Sequence, residues 1–217
     1  MDRLWYLSQI EMLEEFTDDE NMAMHEMLKQ VQFSKSSVVQ LPNTPLEGLF
    51  FIREGKLRLF KIDDKGYNYT VGILSKNSFF GWSTHFSLGT ESVGIEALEA
   101  TMISGYDAEA FNKFLIEKPD LVKQILDLVS KGKVIQEEML EAMSKMDLKS
   151  RLMYWLRQLA LYHGSDVGNY VTINLKLTHE DLAHMIDASV EDVKSNLQIL
   201  AKEGVIISGF MKISIKK

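Results

Sequence analysis

The 217-residue sequence predicts an α+β chain: an N-terminal antiparallel β-roll, one long helix and a C-terminal winged helix-turn-helix. Three observations carry that prediction. Between Ser37 and Tyr106 short β-type runs recur at roughly ten-residue spacing. From Leu121 to Met146 apolar residues follow a 4–3 repeat. From Leu177 to Ile206 two short amphipathic segments flank a tight turn, and an alternating hairpin follows.

Residues 4–31 read as helical, with Leu4, Leu7, Ile10 and Leu13 at helical spacing. Thr17-Asp18-Asp19 then forms a start signal before the Met-rich stretch Met22 to Val31. The candidate strands are 38–39, 49–52, 56–60, 69–74 and 101–103. Arg53-Glu54-Gly55 and Asp63-Asp64-Lys65-Gly66 supply tight turns, so the strands close into an antiparallel barrel or roll. Asp107 is suited to cap a short helix through Glu117, and Pro119 suits the first turn of the next. On that helix Leu121, Ile125, Leu128, Gly132, Ile135, Met139, Ala142 and Met146 form a seam, apolar except at Gly132. Its period suits pairing with a second copy, so Leu121, Ile125, Leu128, Ile135, Met139, Ala142 and Met146 are the expected dimer interface. The other use of such a face is packing on the chain's own roll. A further helix runs from Leu148 to Tyr162, a polar loop from His163 to Asn169, and a strand from Val171 to Leu175. The chain closes with Val205-Ile206-Ile207, a turn at Ser208-Gly209 and an alternating strand from Met211 to Ile215.

Composition sets the outer bounds. Apolar content of 46% and charged content of 25% are those of an ordinary globular protein. With no run of about 18 apolar residues and no basic start or cleavage site, no membrane partner and a cytoplasmic location are expected. Absence of cysteine excludes disulfides, thiolate zinc sites and Cys-ligated iron–sulfur clusters. Net charge is −7, unevenly spread: residues 148–217 carry nine Lys/Arg against seven Asp/Glu, the preceding 147 fifteen against twenty-four. An acidic module followed by a mildly basic one suits a regulator whose tail touches phosphates.

Within 177–206, Thr178 is the expected N-cap before His179-Glu180-Asp181, whose acids Glu180 and Asp181 lie in the first turn, where the helix dipole favours negative charge. Leu182, Met185 and Ile186 form the buried stripe, Asp187-Ala188-Ser189 the turn, and Ser189 the second cap. Val193, Leu197 and Leu200 face inward, leaving Val190, Glu191, Lys194, Ser195 and Gln198 outside, with Gly204 ending the helix. His179 and His184 imitate a zinc-protease helix, but an i, i+5 pair stands about 140° apart, so no metal site is expected. Neither a nucleophile elbow nor a phosphate-binding glycine loop occurs, and no enzymatic activity is expected.

Order and length resemble the bacterial CRP/FNR family, the cyclic-AMP receptor protein-like transcription regulators. The most specific pieces are Leu49-Phe50-Phe51-Ile52-Arg53-Glu54-Gly55-Lys56-Leu57, the Phe79-Phe80-Gly81 turn with Phe86 after it, and Leu177–Ile206. The resemblance implies a roll of the cyclic-nucleotide-binding (jelly-roll) type over 1–117, a dimerisation helix over 118–146 and a DNA-binding domain over 147–217. Asp147 matches the family's hinge aspartate.

The resemblance also implies what this chain lacks. Nucleotide-binding members hold the ribose with a glutamate where this sequence has Trp82. They grip the phosphate with an Arg-Ser or Arg-Thr pair at the positions of Ser92 and Val93, and contact adenine with a Thr-Ser pair at Gln136-Glu137. A phosphodiester without a guanidinium partner loses a bidentate charged contact, so cyclic AMP is not the expected effector. A haem would need an axial ligand, for which His85 is the candidate. The expected effector pocket comprises Phe79, Gly81, Trp82, Ser83, Phe86, Ser92, Val93 and Gln136, suiting an apolar or aromatic small molecule or none. On the recognition helix, Glu191 keeps the family's acid, which accepts from cytosine, while Ser195 replaces its guanine-reading arginine. The expected DNA-binding residues are therefore Thr178, His179, Ser189, Val190, Glu191, Lys194, Ser195, Gln198 and Lys212. Lys202, Lys216 and Lys217 would add phosphate contacts. The expected protein is a homodimeric regulator of a palindromic operator on double-stranded DNA, with RNA polymerase a partner if it activates. The alternatives are a haem or other small-molecule sensor of the same fold, or a non-DNA signalling or scaffold protein.

Overall fold

The computed structural model describes residues 29–217, apart from 84–85, 108, 110–112, 114–115, 117–118 and 210–211. The side chains of 83, 86, 119–122, 124, 125, 128, 135, 139 and 142 also lie outside the described set. Two compact units form, one up to Glu138 and the other from Met139 to Lys217.

The first unit is an antiparallel roll of two sheets. The strands are β1 (Lys29–Phe33), β2 (Val38–Gln40), β3 (Gly48–Glu54), β4 (Lys56–Ile62), β5 (Asn68–Ser75), β6 (Phe79–Ser83), β7 (Phe86–Ser87), β8 (Gly94–Ala97) and β9 (Thr101–Asp107). One sheet runs β1-β9-β3-β6-β7, the other β2-β8-β4-β5. Leu49, Phe51, Leu57, Leu59, Phe79 and Ile95 are fully buried in the core. Both expected turns are present. Gly55 takes φ +86° between β3 and β4, and Asp63 Oδ1 accepts from the backbone N–H groups of Lys65 (2.9 Å) and Tyr67 (2.8 Å) before β5.

The second unit contains the end of helix α1 (Pro119–Lys145), then α2 (Leu148–His163), β10 (Gly164–Val167), β11 (Tyr170–Ile173), α3 (His179–Ile186), α4 (Val190–Lys202), β12 (Ile206–Gly209) and β13 (Lys212–Lys216). Its sheet runs β10-β11-β13-β12. Leu152, Leu156 and Leu159 of α2 bury one face at helical spacing, and Trp155, 2% exposed, donates its indole N–H to Met143 Sδ at 3.2 Å. The last turns of α1 are thereby fastened to α2. Among the described residues no helix is long and apolar enough to cross a membrane.

Four expectations are corrected. The helix expected to reach residue 31 is not one at its end: Lys29–Phe33 is a strand paired with β9, tied by an ion pair from Lys29 to Asp107. β1 is an almost wholly exposed edge strand, so no alternation of apolar residues marks it. The rest of that segment, and most of the short helix expected after Asp107, lie outside the described residues. The loop expected over His163–Asn169 is half of a hairpin, in which Val167 faces Tyr170 across Gly168-Asn169 and Gly168 takes φ +58°. The Phe79-Phe80-Gly81 turn is strand β6, paired with β3 from Phe79↔Phe51 to Trp82↔Gly48. Ser208 and Gly209, expected as the wing's turn, pair with Ile213 and Lys212 as the end of β12.

Candidate DNA interface and effector segment

The helix pair is built from its caps. Thr178 Oγ1 accepts from Asp181 N at 3.0 Å while Asp181 Oδ2 accepts from Thr178 N at 2.9 Å, a reciprocal box at the start of α3. Asp181 is 4% exposed, so of the two acids in that turn it is the structural one. Asp187 takes the left-handed conformation, φ +57°, and Arg151 Nη1 of α2 donates to Ile186 O at 2.9 Å, fixing the turn against α2. Ser189 then caps α4, accepting from Asp192 N at 3.0 Å and donating to Asp192 Oδ2 at 2.7 Å. Val193, Leu197 and Leu200 are the buried stripe. Gly204, φ +69°, follows the C-terminus and lets the chain leave for the wing.

This arrangement sorts the side chains of α4. Asp192 is spent on Ser189, and Asn196 Nδ2 donates back to Asp192 O at 2.9 Å. Glu191, Lys194, Ser195 and Gln198 are exposed, and each lacks a partner among the described residues. With Lys202 they fall on one stripe, since i, i+4, i+7 and i+11 share a helix face. Val190 is half-buried beside them, and His179 and Lys212 are exposed on α3 and β13. Thr178 and Ser189 are expected DNA contacts whose hydroxyls are engaged in caps. Lys176, which sequence reasoning passed over, stands exposed just before α3.

The roll segment from Gly81 to Val93 is organised the other way. Gly81, φ +136°, lies so close to β3 that an added Cβ would stand 2.1 Å from Gly48 O. Thr90 Oγ1 accepts from Gly81 N and donates to Gly81 O, both at 3.1 Å. Gln40, 4% exposed, donates through Nε2 to Thr90 O and Val93 O, each at 2.8 Å, and accepts from Leu46 N at 2.9 Å. Ser87 donates to Glu91 Oε1, while Glu91 Oε2 and Trp82 Nε1 are buried without a partner among the described residues. Phe79 and Val93 are fully buried core residues, Ser92 is exposed and Gln136 is half-buried on α1. The side chains of Ser83 and Phe86 lie outside the described residues, as does His85. Gln40, Thr90 and Glu91 were not among the expected residues. Their roles come from contacts across up to 53 positions, which no local pattern reveals.

Within the second unit, Asp147 caps α2, accepting from Ser150 N at 2.7 Å, and that N–H holds its carboxyl below the usual carboxylate range. Of the expected dimer seam, Met146 is half-buried; the side chains of Leu121, Ile125, Leu128, Ile135, Met139 and Ala142 lie outside the described residues.

Residues 30–118 match the family model described as Cyclic nucleotide-binding domain, and residues 150–217 match the Crp-like helix-turn-helix domain. The chain belongs to the CRP/FNR family of transcription regulators. It is a DNA-binding regulator of that type rather than an enzyme. The global nitrogen regulator of Synechococcus elongatus is 28% identical to it over 160 residues, 73% of this chain and 72% of that protein. Transcriptional regulator SdrP of Thermus thermophilus is 28% identical over 203 residues, 88% and 92% of the two chains. Among solved structures, the c-di-GMP-responsive global regulator of Xanthomonas campestris superposes with a TM-score of 0.73 at 15% identity, covering 92% of this chain and all of that one. In this CRP/FNR regulator, α4 is thus the recognition helix and β12–β13 the wing.

Proposed function

We propose that this CRP/FNR regulator acts as a homodimer on a palindromic operator, with Glu191, Lys194, Ser195 and Gln198 of the recognition helix entering the major groove. The reading rests on one observation: these outward side chains are unpaired among the described residues, while their neighbour Asp192 is engaged with the Ser189 cap and Asn196 with the Asp192 carbonyl. A free carboxylate at Glu191 accepts from cytosine N4, and Val190 meets a thymine methyl. With Ser195 in place of an arginine, this position makes no bidentate contact to guanine, so the half-site has a weaker guanine preference than the family's sites. The apolar seam of α1 supports the dimer, and Asp147 the joint between long helix and DNA-binding domain.

The effector, where one acts, is a non-nucleotide small molecule. Ser92 and Val93 offer no guanidinium to a phosphate, and Glu91 places a carboxylate two residues from Val93. The c-di-GMP of the Xanthomonas relative is a phosphodiester and would meet the same obstacle.

Selection of bound sequences from random duplex DNA, followed by titration, tests the DNA reading. A two-fold symmetric site with cytosine at one position of each half is expected. Glu191→Ala should lose roughly 1–3 kcal/mol of discrimination at that position while remaining folded. Unchanged base preference in Glu191→Ala, or recovery of an asymmetric site, would contradict it.

A further inference from the structure

We propose that a cavity between α2 and the β10–β11–β13 sheet binds a small organic acid, with its apolar body against helix and sheet and its carboxylate on Arg157. The site lies wholly within the second unit and is separate from any effector of the roll. It holds about 460 Å³, a size within the range of small-molecule sites. Two faces build it. Arg157, Ala160 and Leu161 stand at i, i+3 and i+4 and so share one stripe of α2, apart from the buried stripe of Leu152, Leu156 and Leu159. Opposite them, Val171 of β11 and Ile215 of β13 are direct cross-strand partners, which puts both side chains on one face of the sheet. At Gly164 an added Cβ would stand 2.1 Å from Ala160 O and 2.5 Å from Val171 Cγ1, so glycine lets β10 begin this close to α2.

Charge selects the occupant. Arg157 and Lys216, both exposed, line the cavity and have no partner among the described residues. The acid on the same wall, Asp166, is engaged by Lys217 at 3.2 Å, so the charge left unspent is positive. A guanidinium presents a planar fork that fits a carboxylate with two parallel hydrogen bonds, which makes Arg157 the anchor and Lys216 a point charge beside it. A free inorganic anion would leave the rest of the lining unused. Ile215 is a buried floor, and Leu161 is 72% exposed and offers apolar area to an incoming body. A ligand that joins an aromatic or aliphatic body to a carboxylate uses both halves of the cavity.

The test titrates the full-length protein with phenylacetate, with phenylacetamide (the same body without the charge) and with acetate (the charge without the body). Binding is read as the rise of the second unit's unfolding transition in calorimetry, since a ligand of the folded state raises its stability by mass action. For a probe of this size a dissociation constant on the order of 1 mM is expected. Phenylacetate should raise the second unit's transition and leave the first unit's in place, while the amide and acetate bind about tenfold more weakly. Arg157→Gln, a change at an exposed position, should weaken phenylacetate about tenfold and leave the amide as it was. Leu161→Ser should weaken acid and amide alike. Wild-type affinity for phenylacetate in Arg157→Gln would overturn the proposal, as would no shift at concentrations well above the expected constant. Stabilisation of the first unit alone would place the acid in the roll, overturning this site while supporting an effector there. Self-association in sedimentation that Leu161→Ser abolishes would show that a second copy covers this face, and the proposal would be wrong.

Discussion

The recognition helix and the roll segment Gly81–Val93 treat their polar groups in opposite ways. On α4 the outward Glu191, Lys194, Ser195 and Gln198 are unpaired among the described residues, and the bonds that shape the helix are made by others. In the roll, Gln40, Thr90 and Ser87 have already bonded the segment's backbone and its acid. DNA docking on this face would therefore meet a surface that needs no internal bond broken. A ligand of the roll must exchange bonds that the segment makes with itself, and so must offer compensating contacts to shift the protein between states. Two buried groups there, Trp82 Nε1 and Glu91 Oε2, have no partner among the described residues.

The strongest way to break this comparison is to remove the frame behind the recognition helix. Trp155 is buried against Met143, and Trp155→Ala should cost roughly 3–5 kcal/mol. Two unfolding transitions are expected in calorimetry, since the chain folds as two units, and only the one belonging to the second unit should fall, taking DNA binding with it. Equal movement of both transitions would show that the two regions cannot be compared as independent.

Next in size is the roll's own tie. Gln40→Ala strands the buried carbonyls of Thr90 and Val93 and takes a partner from the N–H of the exposed Leu46, costing roughly 3 kcal/mol, chiefly through the two buried carbonyls. The first unit's transition should fall while affinity for a selected operator is unchanged. A wild-type transition in this variant would mean that water replaces Gln40 freely and that the segment is not closed.

The same contrast explains what the sequence made legible. α3 and α4 were readable because their information is local: apolar residues at 182, 185, 186 and at 193, 197, 200, with Thr178 and Ser189 one position before each helix. The resemblance already singles out Glu191 rather than Asp192, and the geometry of Ser189 adds that Asp192 is the carboxylate engaged at the cap. In the roll, β1 and β10 were missed because four residues of the first and three of the second are exposed, leaving no two-residue period to read. Gln40 was invisible for a related reason. One glutamine in a strand looks polar and exposed until the partners 50 and 53 residues away are known.

A smaller effect separates shaping from reading within α4 itself. Ser189→Ala removes the cap and should cost about 1 kcal/mol of stability in the second unit. Base preference should survive, the mirror image of Glu191→Ala. Altered preference in a folded Ser189→Ala chain would show that cap and reader are not separate on this helix.

The smallest expected effect concerns Asp147, where the chain passes from α1 to α2. Its carboxylate accepts from Ser150 N, and this bond, with lesser help from the Ser150 side chain and from Lys149 and Arg151, holds its pKa below the ordinary value. A carboxyl with a depressed folded pKa stabilises the fold above its unfolded pKa, near 4, and that contribution disappears as pH falls through the folded value. Asparagine caps about as well as aspartate but does not titrate here. Asp147→Asn should therefore match wild type in strong acid and lose its relative disadvantage progressively as pH drops from about 5, when the second unit's unfolding is followed by denaturant titration. Other acids titrate identically in both chains and cancel in the difference. Parallel pH profiles would show that the cap owes nothing to charge, leaving Asp147 at the joint for its geometry alone.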